Sequence, residues 1–443
     1  MPGQEWMVPT GSVVGIDFGT TNSTIARCVD PSSKVEVVRF PLFGGETESY
    51  RSLLYLERLK QNGKNRLISW TGPSGIEHYL SKEIEGETGG RLIQSLKSFL
   101  TSRTLLTTEI FGLRVTIEEL IARILRDLRQ KAEEAFGTSI SSAVVGRPVR
   151  FVGAETEADN IYAESRLRHA YQLAGFTAIQ FEMEPVAAAH YYESTLPCDQ
   201  LILIGDFGGG TSDFSLIRVG PTIRRRGRTP ADVVGNAGVG IAGDAFDAKI
   251  VRHLVSPFLG LGSEMRSINK ILPVPTWVFA KLERWHHLSF LKARDTMNML
   301  RSVRAQALEP DKIDALIHLI DEDRGYYLHR AVQATKSDLS MKDVARFVLS
   351  EGGTEIEAVA QRAWVEKWIA DELASIEGCV DLLLHDSSTL PANVDMVFLT
   401  GGSSFVPAVR RIFERRFGAD RIRAGSEFTS VAQGLALKAT EIA

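Results

Sequence analysis

One short pattern occurs twice in this chain and limits what it can fold into more than any other feature. Val13-Val14-Gly15-Ile16-Asp17-Phe18-Gly19 is an apolar run ending in Asp-Phe-Gly, and Leu201-Ile202-Leu203-Ile204-Gly205-Asp206-Phe207-Gly208 repeats it 189 residues later. An apolar run stopped by Asp and Gly reads as a buried strand entering a tight turn. Each copy continues into Gly and Thr residues and then a second strand, over 23–29 and 215–219. Self-similarity at that distance predicts two lobes of similar build.

The rest of the chain is compatible with two such lobes. Its 443 residues suggest two to three domains, and 44% hydrophobic with 24% charged residues is ordinary for a globular protein. A formal net charge of -4 lacks the electrostatic footprint of a nucleic-acid binder. Cys28, Cys198 and Cys379 lie far apart with no CxxC, which argues against a disulfide framework or a structural zinc site and fits a reducing compartment. Residues 1–12 do not read as a signal peptide, and no apolar run is long enough to span a membrane. The cytoplasm is the expected address.

Strands over 13–19, 23–29 and 35–40 predict an antiparallel meander, with Asp30-Pro31-Ser32-Ser33 as a turn. Residues 44–90 are expected to be irregular with short strands. In Ile117–Phe136, Leu120, Ile121, Ile124, Leu125 and Leu128 share one helical face and Gly137 stops the helix. A strand at Ala143-Val144-Val145, a helix over 154–174 capped by Gly175, a strand over 178–182 and a helix over 185–193 follow. Residues 255–350 read as mostly helical, with helical spacing over 300–308, 313–320 and 326–335. Thr354-Glu355-Ile356-Glu357 looks like a capping box, predicting one long helix to about residue 384 with Trp364 and Trp368 on a core stripe. A strand over 394–399 ends in Thr400-Gly401-Gly402-Ser403, and helices over 408–417 and 431–439 close the chain.

Three glycine-rich turns follow buried strands: Asp17-Phe18-Gly19-Thr20-Thr21-Asn22, Asp206-Phe207-Gly208-Gly209-Gly210-Thr211 and Gly401-Gly402-Ser403-Ser404. Glycine lets backbone N–H groups approach an anion, and Thr hydroxyls add donors to phosphate oxygens. An Asp at the strand end is the wrong charge for phosphate but suits a hydrated Mg²⁺. Two such hairpins facing each other would clamp a polyphosphate and its metal between two lobes.

These residues carry a resemblance. With Ser95-Leu96-Lys97-Ser98-Phe99-Leu100, Val145-Gly146-Arg147-Pro148-Val149, Glu184-Pro185-Val186-Ala187-Ala188-Ala189, Ala242-Gly243-Asp244-Ala245-Phe246-Asp247 and Phe398-Leu399-Thr400-Gly401-Gly402-Ser403, they stand in the order of one family and span about 17 to 436. The chain resembles the ATPase domain of the 70-kDa heat-shock (DnaK-type) proteins, of the actin/hexokinase/heat-shock superfamily, with the YegD-type chaperone-like members as the nearer match. The resemblance implies an α/β, actin-like ATPase fold: two duplicated lobes with a nucleotide cleft between them. Lobe I would take 1–197 plus a C-terminal helix over 424–443, and lobe II 198–423 with a helical outer subdomain at about 255–350.

It also implies roles. Asp17 and Asp206 would hold Mg²⁺ through water. Gly19, Thr20, Thr21, Asn22, Gly208, Gly209, Gly210 and Thr211 would line the phosphate cradle. Lys97 matches the catalytic lysine near the γ-phosphate, where its ammonium would offset transferring charge. Glu184 matches the acid that positions metal or water, Pro185 a hinge-side proline, and Asp213 a second acid beside the attacking water. Gly243, Asp244, Gly401, Gly402 and Ser403 would approach the nucleoside, and Lys336 and Ser340 look like its lysine and serine. Two positions depart from the family pattern: Phe405 replaces the arginine that stacks on adenine, and Gln333 stands where a glutamate contacts the adenosine. A Phe face can still stack on a purine. The family's linker and peptide-binding domain are not expected, since the ATPase pattern finishes near Ala439.

Other signals are weaker. Gly238-Val239-Gly240-Ile241-Ala242-Gly243 matches GxGxxG, yet position 258 is Phe where a dinucleotide site needs an acid. No P-loop pattern occurs. Arg224-Arg225-Arg226-Gly227-Arg228 reads as an exposed hairpin tip or a docking patch for an acidic partner. His286-His287 beside Trp285 has no ligand partner at metal spacing and reads as surface or packing. The expected function is Mg²⁺-dependent ATP binding with slow hydrolysis to ADP and phosphate, chaperone-like. Alternatives are a non-hydrolysing nucleotide switch, a small-molecule kinase and a polymerising actin-like protein. No nucleic-acid or membrane partner is expected, a monomer is favoured, and a protein partner stays open.

Overall fold

In the computed structural model the described residues are 13–29, 34–42, 45–61, 64–84, 90–193, 196–284, 291–292, 294–322, 324–351, 354–424 and 429–440. The expected turn at 30–33 and the His286-His287 pair with Trp285 lie outside them.

The first sheet is built on β1 (Val13–Phe18), which pairs antiparallel with β2 (Asn22–Cys28); β3 (Val35–Val37) pairs antiparallel with β2. A two-residue strand, β4 (Tyr50–Arg51), also pairs with β2. The expected third strand is shorter than 35–40, because Phe40 opens a separate small hairpin. Residues 44–90 are more ordered than expected. They hold a long hairpin of β5 (Leu53–Gln61) and β6 (Lys64–Thr71), then α1 (Gly72–Ile84), whose Ile76 and Tyr79 are buried. The apolar run Leu53-Leu54-Tyr55-Leu56 is buried on both faces of β5, Leu54 and Leu56 in one core and Leu53 and Tyr55 in another, and the polar residues around it masked it in the composition.

Helix α2 (Ile117–Phe136) begins with a reciprocal capping box between Thr116 and Glu119 and ends at Gly137 in the left-handed region, φ 66°. β7 (Ser142–Arg147), α3 (Glu157–Leu173), β8 (Ala178–Met183) and α4 (Glu184–Glu193) follow. β7 pairs parallel with β1, and β8 parallel with β7. The sheet order is therefore β8-β7-β1-β2-β3.

The second half repeats this order. β9 (Gln200–Phe207) and β10 (Ser212–Val219) are antiparallel, and β11 (Val233–Val239) extends them antiparallel. Further along the chain lie α5 (Gly243–Ile250), α6 (Gly325–Met341), the hairpin β12 (Val344–Glu351) with β13 (Thr354–Gln361), and helices α7 (Arg362–Trp368) and α8 (Ala370–Asp386). β14 (Met396–Thr400) and β15 (Ile422–Ala424) complete a sheet ordered β15-β14-β9-β10-β11, with the same parallel and antiparallel pairings as the first. Helix α9 (Pro407–Phe417) and a last helix, α10 (Ser430–Thr440), pack beside it and between the halves.

The long helix expected from residue 354 does not form. Thr354–Gln361 alternates, burying Ile356 and Ala360 while Glu355 and Glu357 face solvent, and it pairs along its whole length with β12. Period-two burial prevails over the capping-box signal. Trp364 is accordingly exposed, and only Trp368 packs, stacking on His253 at 4.9 Å between ring centroids. The 255–350 region also contains a small hairpin, Glu264–Ser267 with Lys270–Pro273, besides its helices. Arg224–Arg226 end a short helix rather than a hairpin tip, and Arg228 turns inward to pair with Glu193 at 2.9 Å.

Two helices are exchanged between the halves. α4 leaves the first sheet and packs on β9 and β10, whereas α10 comes back from the second half onto β1, β2 and β7. Val186, Ala187, Ala188 and Ala189 of α4 share one core with Ile202, Ile204 and Ile217 and with Val431 and Leu435 of α10. Small residues permit this closeness: a Cβ on Gly434 would fall 1.7 Å from the Ala187 carbonyl oxygen, and one on Gly15 2.3 Å from the Ala436 nitrogen. At the far tips, Tyr55, Ile76 and Tyr79 join the core of α5, α6 and β12. No helix among the described residues is long and apolar enough to cross a membrane.

Candidate functional site

The two duplicated hairpins meet at the bottom of a cleft of about 660 Å³ between the halves. Their turns are equivalent. Phe18 pairs with Ser23 and Phe207 with Ser212, leaving four-residue turns at 19–22 and 208–211. Each turn starts with a glycine that must lie close to the residue three on. A Cβ on Gly19 would sit 2.2 Å from the Asn22 carbonyl oxygen, and the Gly208 N–H donates to the Thr211 carbonyl at 3.0 Å. The turns face one another, since a Cβ on Gly209 would come within 2.7 Å of the Thr21 hydroxyl and 3.1 Å of Asp244 Oδ1. Gly401, at φ 82°, passes against the Phe207 backbone with no room for a side chain.

Asp17, Gly19, Thr20, Thr21, Asn22, Lys97, Glu184, Asp206, Gly208, Gly209, Gly210, Thr211, Gly243, Asp244, Lys336, Ser340, Gly401, Gly402, Ser403 and Phe405 all line the cleft. Asp213 does not. It stands opposite Asp206 on the neighbouring strand, at the register position that Thr24 holds opposite Asp17, and is buried behind the wall. There its Oδ1 accepts the Arg150 N–H at 3.1 Å. Sequence reasoning also gave no role to Arg51 or Asp247. Arg51 lines the cleft from β4, and Asp247 anchors Lys336.

Lys97 sits in a tight 3₁₀ turn, Leu96–Phe99, entered through Ser95 in the left-handed region at φ 55°. A non-glycine residue held there is strained, and strain of this kind collects where a side chain must be aimed. Lys97 Nζ donates to Glu184 Oε1 at 2.7 Å, and both side chains are buried. Glu184 is the first residue of α4, where the helix dipole favours an anion.

Four carboxylates, Asp17, Glu184, Asp206 and Asp213, thus surround one ammonium. Burial pushes Asp17 up to about 7, with Glu184 adding to the rise and Lys97 opposing it. Burial likewise pushes Asp213 up to about 7, Glu184 again contributing. Asp206 is held well above the usual carboxylate range by burial and then by Glu184, Asp17 and Asp213. For Lys97, burial pulls downward, but Glu184 and Asp17 outweigh it and the net shift is upward. The site has more negative charge than it can hold comfortably, and a divalent cation would relieve it. Among the described residues no three His, Cys, Asp or Glu side chains gather as a metal cage. Mg²⁺ takes few protein ligands and keeps water and phosphate oxygens. The glycine cradle and the carboxylate excess therefore fit a magnesium polyphosphate.

Farther out, Lys336 pairs with Asp247 at 2.7 Å and donates to the Gly243 carbonyl at 3.4 Å, while Gln333 Nε2 donates to Asp247 Oδ2. Ser340 spends its proton on the Lys336 carbonyl, so it can only accept at the cleft. Phe405 offers a half-exposed ring at the rim.

A family model described as Hsp70 protein matches residues 87–265 and 312–442. Curated relatives include the chaperone protein DnaK of Thermosipho africanus, 26% identical over 97% of this chain and 59% of its own length, and that of Thermotoga maritima, 25% identical over the same shares. DnaK of Thermosipho melanesiensis is 24% identical. The chain spans 59% of the length of these relatives. Two sheets of one order, their glycine hairpins and this match over most of the sequence lead to one conclusion: the chain belongs to the Hsp70 family and has its actin-like ATPase fold, the fold of a nucleotide-binding family.

Proposed function

We propose that this protein binds ATP with Mg²⁺ in the cleft and hydrolyses it slowly, closing its two lobes in the process. The observation that carries this reading is the meeting of two equivalent glycine hairpins, each with a strand-end Asp, around the buried Lys97–Glu184 pair. Backbone N–H groups of the turns at 19–22 and 209–211, with the Thr20, Thr21 and Thr211 hydroxyls, are the donors for phosphate oxygens. Asp17 and Asp206 would hold the cation through water, and the cation would supply neutralising charge on the phosphates. Lys97 offsets charge developing on the transferring group, and Glu184 fixes the direction of its ammonium. Gly243, Asp244, Lys336, Ser340 and 401–403 are the nucleoside side, with Phe405 as a stacking face. The lobes are 1–197 with the C-terminal helix, and 198–423.

Calorimetric titration with ATP, with and without Mg²⁺, tests the reading; absence of affinity in both conditions rejects it. Phe405 and the Gln333–Asp247 contact at the nucleoside side favour a second reading, a nucleotide switch with negligible turnover. Single-turnover kinetics separate the two, since bound ATP that survives for hours supports the switch. The relatives are named chaperone proteins. A chaperone-like role, with lobe closure signalled to a protein partner, is proposed here on that basis. Cys198 and Cys379 carry free thiols, which supports a reducing compartment such as the cytosol.

A further inference from the structure

Among the described residues three cations line the cleft, and two are already paired. Lys97 is tied to Glu184 and Lys336 to Asp247, each at 2.7 Å. Arg51 is different. Its guanidinium lines the cleft and donates to the Asn22 side-chain oxygen at 3.2 Å, and no described carboxylate lies within ion-pair distance of it. Its backbone is fixed to the first hairpin: Arg51 pairs with Asn22, Tyr50 with Ser23, and the Ser52 N–H donates to the Thr21 carbonyl at 2.9 Å. Tyr50 is fully buried and bonded to Asp127, so the strand that carries Arg51 has little freedom. From the second half, Tyr326 of α6 and then Asp244 and Asp247 of α5 act on the guanidinium, and Asp244 lies against Gly209 of the second turn. A guanidinium held on the first turn, with no ion-pair partner among the described residues, therefore lines the cleft beside Asn22.

We propose that Arg51 binds the polyphosphate of the nucleotide, as a phosphate ligand contributed by β4 and additional to the glycine turns and Lys97. A guanidinium is always charged and offers a planar fork that matches two phosphate oxygens. Without an anion it is steadied by Asn22 and by the field of Asp244 and Asp247 across the cleft. A phosphate replaces that field with direct contact, so Arg51 reports the presence of polyphosphate to the second half. This inference rests on the nucleotide reading above.

The test is calorimetric titration of the full chain with MgATP, MgADP and adenosine, for wild type, Arg51→Ala and Arg51→Lys. Arg51→Ala is expected to lose about tenfold or more in affinity for ATP and ADP and to keep its affinity for adenosine. Arg51→Lys recovers part of the loss, because an ammonium lacks the fork. The loss shrinks as salt rises. An equal loss for ATP and adenosine, or none for ATP, overturns the proposal. Should Arg51→Ala fail to fold, Arg51→Lys must still lose ATP affinity selectively, and unchanged affinity in it overturns the proposal as well. Wild type binding neither ligand overturns both this proposal and the nucleotide reading, whereas wild-type binding with indifferent variants overturns this one alone.

Discussion

Lys97 and Glu184 lie 87 residues apart in sequence and meet at 2.7 Å where almost no solvent reaches. Removing the ammonium leaves Glu184 buried among like charges but does not touch the glycine turns. Lys97→Ala is therefore expected to keep nucleotide binding and to lose about 100-fold or more in single-turnover hydrolysis; unchanged turnover would remove Lys97 from the chemistry. Asp244 gives a pH prediction. Burial, then the nearby Asp247, pushes it up to about 6 from an ordinary 3.8. The folded protein thus holds a proton that the unfolded chain releases, and this group's contribution to stability falls as pH rises from about 4 to about 6. Asp244→Asn should stabilise the ligand-free protein by about 1 kcal/mol at pH 7, with the difference vanishing near pH 4, as read from melting temperatures at both pH values. Of these residues, Lys97, Glu184 and Asp244 were legible because each sits inside a recognisable segment. Arg51 was not, since Ser49-Tyr50-Arg51-Ser52 has no pattern of its own and only the pairing of β4 with β2 brings it to the cleft. Asp213 was legible as an acid but not as a hidden one. Its place behind the wall depends on cross-strand register with Asp206.

The elements differ in how openly the chain announces them. Helix α2 is plain in the sequence: an apolar face every three to four residues, Thr116 and Glu119 at one end and Gly137 at the other. Because the Glu119 N–H donates to the Thr116 hydroxyl and the Thr116 N–H donates to the Glu119 carboxylate, Thr116→Ala should cost about 1 kcal/mol, seen as a lower denaturant midpoint with an unchanged slope. The stretch from 354 was misleading for the same chemistry. Thr and Glu three apart promise a helix start, yet Ile356 and Ala360 alternate with Glu355, Glu357 and Val359, and the hairpin partner β12 lies just upstream. Local capping signals are short, whereas a strand is decided by a neighbour that sequence periodicity alone does not reveal. The β5–β6 hairpin and α1 were hidden for a related reason. Their apolar residues divide between two cores, Leu54 and Leu56 in the first half's own and Leu53, Tyr55, Ile76 and Tyr79 in that of the other half, a partition no single periodicity announces.

Seen whole, the molecule is two copies of one sheet joined at the base by exchanged helices and touching again at the tips. The tip contact is aromatic: Tyr79 of α1 lies edge-on to Tyr326 of α6 at 5.7 Å and near Tyr327 at 6.2 Å. It ties the two halves together away from the base, so on the proposed nucleotide reading Tyr79→Ala should speed nucleotide release several-fold, on the scale of one lost aromatic pair, measured by stopped-flow chase of a fluorescent ADP. The same release rate in the variant would show that the tips do not gate the cleft. The duplication itself was legible from two Asp-Phe-Gly strands, but the helix exchange was not, because α4 and α10 are short and rich in alanine and name no partner sheet.

At the base, the Gly434–Ala187 crossing has a mechanical consequence. Backbone meets backbone there, with no side chain between to deform. The two halves can tilt about that rivet like scissor blades, but they cannot shear past one another without a steric clash. A small rotation at the rivet becomes a larger displacement at the Tyr79 tip, by simple leverage. Glu184 opens the same helix that holds the rivet, so a pull on Lys97's partner is transmitted along α4 straight to the fulcrum.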